Sequence, residues 1–186
     1  RRSYVKITDK DFKANEDVCI NYCNYILSQN ISFENNAIYY YHSNSDGIVR
    51  TRVMGFSYDS ICNTLFPLKE LRNNFIVNNI YEEYKEELEA LFIKYLFEKI
   101  TYIMFSLKNI KAKREVVNLI INFLEIYFPN WKVNKYYKSN FDCFELNDIS
   151  NILFVKSILS TMKLKNYNYK EEKLLKEIKD TLSNIK

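Results

Sequence analysis

The chain of 186 residues holds only two glycines, two prolines, one histidine and one tryptophan. So few breakers argue against a β-sandwich or barrel with many tight turns and favour long helices. With only Gly47 and Gly55 available, neither a dinucleotide-binding nor a P-loop glycine pattern can be built. The four cysteines, Cys19, Cys23, Cys62 and Cys143, include no CxxC pair, and the lone His42 completes no zinc set of usual spacing. Cys19 and Cys23 stand four apart, on one helix face, where a free cysteine acts as a small buried hydrophobe. A reducing cytoplasm is the expected setting. The charge excess is slight: 27 Lys+Arg against 23 Asp+Glu leave +4, spread along the chain, which does not describe a nucleic-acid binder. The most apolar stretch, residues 91–107, carries Lys94, Glu98 and Lys99 and is not expected to span a membrane.

What is present is a core's worth of apolar residues, 47 % of the chain, with 16 tyrosines and 13 phenylalanines. That is a globular mixture, too hydrophobic for disorder. Tyr4 to Ile7 reads as a short strand. Asn15-Glu16-Asp17 reads as a helix entry, an Asn cap followed by two carboxylates that favour the helix dipole. Val18, Tyr22, Tyr25 and Ile26 then recur at helical spacing. Ile31-Ser32-Phe33 and Ala37 to Tyr41 read as two short strands, and residues 42–47 as a polar loop. From about Arg52 the pattern is helical. Tyr81, Tyr84, Leu88, Leu91 and Tyr95 make one stripe, and Phe92, Leu96, Ile100, Ile103 and Leu107 a second. Residues 115–128 are apolar apart from a narrow line of Asn118, Asn122 and Glu125, so this helix is expected to be packed nearly all round and antiparallel to the one before it. Residues 131–147 look irregular, with Tyr136, Tyr137 and Phe141 as packing points. Helices are expected over 150–163 and 170–185, the last with Leu174, Ile178, Leu182 and Ile185 in register.

Three features can carry chemistry: the Glu16-Asp17 pair, His42 in its polar loop, and the aromatic, Lys/Asn-rich helical half. Taken singly, each has a plainer reading. The pair serves as a dipole cap, the histidine as a surface residue, and the aromatics, at core spacing, as packing. Their order changes the balance: Asn15-Glu16-Asp17-Val18-Cys19-Ile20-Asn21, then Ile31-Ser32-Phe33, then Tyr39-Tyr40-Tyr41-His42-Ser43-Asn44-Ser45-Asp46-Gly47-Ile48-Val49-Arg50. This resembles the C-terminal part of bacterial family 2 glycosyltransferases of the inverting GT-A fold. There a Glu-Asp pair, Val and an apolar helix precede a Tyr-Tyr-Tyr-Arg strand and a loop ending in Ser-Ile. The likeness is close over residues 12–52 and looser through about Tyr137.

The resemblance implies an α+β, mostly α-helical chain: a partial GT-A-type α/β piece over 1–50, a helical domain over 51–138 and a helical extension over 139–186. It implies transfer of a single sugar from a nucleotide-sugar donor to a glycan or lipid-linked acceptor, in cell-surface polysaccharide biosynthesis. Asp17 would be the general base, with Glu16 positioning base or acceptor. A carboxylate fixed at a helix start stays ionised near neutral pH and can accept the acceptor's hydroxyl proton. His42, Arg50 and Arg52 would face the donor diphosphate, and His42 is also a candidate metal ligand. The donor-binding half and its metal-binding Asp-x-Asp are expected before residue 1. The divalent Mg or Mn ion belongs to that complete enzyme, and this chain alone is expected to bind no metal and to be inactive. Asp9-Lys10-Asp11 fits the Asp-x-Asp letters but reads as a solvated turn. His42 stands where the family usually has Arg, Asp46-Gly47 where it has Ser, and no Gln-x-x-Arg-Trp follows the pair. The resemblance also allows peripheral contact with the inner face of the membrane and a homo-oligomer. The alternative is a small helical protein-interaction module with no enzymatic activity, in which Glu16-Asp17 only caps a helix.

Overall fold

The computed structural model describes residues 16–28, 30–32, 34, 36, 38, 57–138 and 146–183. Among them the chain is mostly helical: α1 (Glu16–Leu27), α2 (Tyr58–Val77), α3 (Lys85–Ser106), α4 (Ile110–Tyr127), the short α5 (Lys135–Lys138), α6 (Leu146–Thr161) and α7 (Glu171–Ser183), with a 3-10 turn at Trp131–Val133 before α5. The helices fall into two compact units, Arg1–Glu82 and Glu83–Lys186.

In the first unit α1 packs against α2. Ser57 caps α2, its hydroxyl accepting the backbone N–H of Ser60 at 3.2 Å. Ile61, Leu65, Leu68, Leu71 and Phe75 then recur every three or four residues and are buried. Asn79, with φ of 58°, takes the left-handed conformation just beyond the helix end. The buried face of α1 centres on the cysteines. Cys19 and Cys23 are fully enclosed, while Val18, Tyr22 and Ile26 are half-buried and Tyr25 is 61 % exposed. The tyrosine stripe therefore flanks the α1 contact instead of making it.

The expected strand at Ile31-Ser32-Phe33 is not seen at its described positions. Ile31 and Ser32 are exposed and join no sheet, and a strand needs a neighbour to satisfy its backbone groups. Ile38, from the second expected strand, is likewise in no ladder and is 74 % exposed. The α/β part of the expected fold is thus absent among the described residues. Tyr4 to Ile7 and Tyr39 to Tyr41 lie outside them.

In the second unit α3 is the hub, packing against α4, α5 and α6, and α7 packs on α4. The helix expected from Tyr81 starts at Lys85: the break after α2 extends through Tyr84, and Glu86 and Glu87 occupy the first turn, where the dipole favours them. The helix expected from Glu115 starts at Ile110, because the Asn109 side chain accepts the N–H of Ala112 at 3.1 Å and caps it. Residues 131–138, expected to be irregular, form the 3-10 turn and α5. Phe92, Phe97, Phe123 and Trp131 are fully buried. Trp131 meets the rings of Phe97 and Tyr137 edge-on, with centroids 5.7 and 4.9 Å apart, an arrangement aromatic quadrupoles favour. Leu174 and Ile178 are buried on α7, as its register requires, and Leu182 is half-buried.

Candidate functional site

Glu16 and Asp17 occupy the first turn of α1, where the sequence places them. Asp17 is exposed, and its Oδ1 accepts the N–H of Val18 at 3.1 Å. The opposite face of the same helix is fixed. Asn74 of α2 donates its side-chain N–H to Cys19 Sγ at 3.6 Å and to the carbonyl of Glu70 at 2.8 Å. A hydrogen bond to Cys23, together with burial, pushes the Cys19 thiol well above its ordinary value. The same hydrogen bond pulls the Cys23 thiol below its ordinary value, and both side chains are fully enclosed, packed as small hydrophobes between the helices. The helix therefore presents an accessible carboxylate on a well-anchored support, a geometry suited to accepting a proton from a bound hydroxyl. Beyond α1 the large apolar side chains of Ile31 and Ile38 are also exposed.

The remaining expected site residues, His42, Arg50 and Arg52, lie outside the described residues, as do Asp9 and Asp11. Among the described residues no three His, Cys, Asp or Glu side chains converge as a metal-binding group.

The second unit gives the polar line of α4 a role that the sequence alone did not assign. Asn118 and Asn122 of α4 hold the non-helical segment 163–170 that joins α6 to α7. The Asn118 side-chain oxygen accepts the backbone N–H of Lys165 at 3.0 Å. Asn122 donates to the carbonyl of Lys165 at 3.0 Å and accepts the N–H of Tyr167 at 2.9 Å. Glu115 adds an ion pair to Lys165 at 3.0 Å and accepts the Tyr167 hydroxyl. The polar line on an otherwise apolar helix is thus a latch for an extended segment. A further buried asparagine, Asn134, donates to the Glu86 carbonyl at 2.9 Å and to Glu89 at 3.3 Å, while its oxygen receives the N–H groups of Tyr136 and Tyr137. Burial pushes the Glu89 carboxyl above its usual range. Burial also raises the Tyr137 hydroxyl to about 12. The signal for the α4 pair was available: an asparagine amid apolar residues has to find partners.

No family model, no curated protein and no solved structure matches the chain.

Proposed function

We propose that this chain is the C-terminal portion of an inverting family 2 glycosyltransferase that moves a single sugar from a nucleotide-sugar donor to a glycan or lipid-linked acceptor. The observation that carries the reading is Asp17, an exposed carboxylate in the first turn of a helix whose other face is locked by Cys19 and Cys23. As the acceptor oxygen attacks the anomeric carbon, its proton passes to Asp17, and the nucleoside diphosphate leaves with the bonding pair. Glu16, the preceding residue of the same turn, positions the base or the acceptor. His42, Arg50 and Arg52 are assigned to the donor-diphosphate side, as the motif order implies. In the complete enzyme the family's metal ion would supply charge stabilisation to the departing diphosphate. Membrane-proximal glycan assembly on the cytoplasmic side and a GT-A-type α/β context for residues 1–50 belong to the same proposal.

The experiment is a transfer assay on the natural gene product carrying this sequence, with a panel of nucleotide sugars and Mn²⁺. Asp17→Asn is expected to keep donor binding by calorimetry and to lose about 10²–10⁴-fold in kcat, the usual cost of removing a general base. A variant with wild-type kcat would make Asp17 a cap residue and refute the assignment. The non-enzymatic interaction module would then be the better reading.

A further inference from the structure

At one end of the second unit α3 passes to α4 through residues 107–109, and α6 ends at Thr161. The Nζ of Lys113 donates to the carbonyl of Met104 at 2.5 Å, which ties the start of α4 to the end of α3. Two large apolar side chains stand in solvent here, Phe105 at 75 % and Ile110 at 66 % exposure. Phe105 is stacked on Phe154, with ring centroids 5.2 Å apart. A cleft of about 400 Å³ opens beside the first turns of α4, and Lys111, Arg114, Asn118 and Lys163 are among its walls. The Glu115 carboxylate in that cleft is already taken up by Lys165 and Tyr167. Lys111, Arg114 and Lys163 have no such partner among the described residues, and Lys108 on the link is exposed as well. Asn118 is only 4 % exposed. The N–H of Lys165 fixes its oxygen, and its Nδ2 is left as a buried donor without an acceptor.

We propose that this end of the unit docks on an anionic membrane surface, with one lipid phosphate seated in the cleft among Lys111, Arg114 and Lys163, above the Asn118 amide. Two independent features meet at the same place. Unpaired cations attract anionic headgroups, and exposed apolar side chains enter the boundary between headgroups and acyl chains. A soluble phosphate compound accounts for the cations but leaves Phe105 and Ile110 unexplained. Asn118, which lines the cleft, keeps a buried side-chain N–H without an acceptor directly beneath these cations. No described helix is long and apolar enough to cross a membrane, so the contact is made from the surface.

Sedimentation of the full chain with vesicles tests this. In 0.1 M NaCl it is expected to bind vesicles of phosphatidylcholine with about 30 % phosphatidylglycerol and to ignore vesicles of phosphatidylcholine alone. Lys111→Glu with Arg114→Glu should lower partitioning by at least about 25-fold, and Phe105→Ser by about tenfold. Ile110→Ser is the substitute should Phe105→Ser fail to fold, as read by Trp131 fluorescence. Lys132→Glu with Lys170→Glu, beside Glu125 near the far end of α4 and so about 16 Å along its axis from Arg114, should leave partitioning within about twofold. Equal binding to both vesicles, or an equal loss in the remote pair, overturns the proposal. So does tighter binding to a single-stranded oligonucleotide than to the anionic vesicles, which would make the patch a nucleic-acid surface.

Discussion

Replacing Asn122 by alanine should loosen the second unit more than any other single polar change on α4. The side chain makes two bonds outside its own helix, to the Lys165 carbonyl at 3.0 Å and from the Tyr167 N–H at 2.9 Å. Its third bond, to the Asn118 carbonyl, stays within the helix. Each lost partner costs about 1–1.5 kcal/mol when the group left behind is partly shielded from water, so the pair is worth about 2–3 kcal/mol. For a unit of about 100 residues that lowers Tm by about 10–20 °C. Asn118→Ala loses one such bond and also deletes the orphan Nδ2 donor, so it should cost about 1 kcal/mol or less. The assay is urea unfolding followed by the single tryptophan, Trp131, which is fully buried in this unit. If Asn122→Ala leaves the midpoint unchanged, or if Asn118→Ala proves the costlier, the latch does not hold the segment as described.

The neighbouring buried carboxyl gives a pH test. Burial raises the Glu89 carboxyl in the folded chain. Its contribution is therefore fully present below the ordinary glutamate value and is lost as pH rises through the raised folded value. Glu89→Gln should accordingly raise the urea midpoint at pH 7 and have little effect at pH 4, and a lowered midpoint at both would contradict this. Asn134→Ala removes the cap of α5 and the donor to Glu89, and is expected to cost about 2–3 kcal/mol in the same melts. Trp131→Ala should cost about 3–5 kcal/mol. Trp131→Phe, which keeps a ring against Phe97 and removes an indole N–H that has no acceptor, should cost about 1 kcal/mol, measured by thermal unfolding under circular dichroism.

Periodicity made the helical half readable because burial follows it: Phe92, Leu96, Ile100 and Ile103 recur at the spacing of one face and all are enclosed. It misplaced the starts of α3 and α4. Tyr81 and Tyr84 continue the apolar spacing across the turn between α2 and α3, and the Asn109 cap sits in a polar stretch with no apolar stripe to announce it. The polar line of Asn118 and Asn122 was visible, but its partners lie more than forty residues away, beyond the reach of any local pattern. On α1 the cysteine face was correctly read as buried. The strands expected after it rested on residue type alone, and Ile31 and Ile38 show that β-branched side chains need a neighbouring strand before they form a ladder. Asp17 was legible as a first-turn carboxylate, whereas the anchoring of its helix by Asn74 of α2, through Cys19, is a tertiary fact.

The latch also sets an order of events. α3 and α4 are joined by only three residues and can find each other early. The bonds from Asn118 and Asn122 close loops of 43 to 47 residues, and that entropy must be spent before they return anything. They are expected to form after the rate-limiting step, so weakening them speeds unfolding and leaves the folding rate almost unchanged. Segment 163–170 is then the first of the described parts of the second unit to come free in the native state. Among the described residues of that unit, a protease added to the folded protein would cut there first, at a rate set by two asparagines and not by the aromatic core.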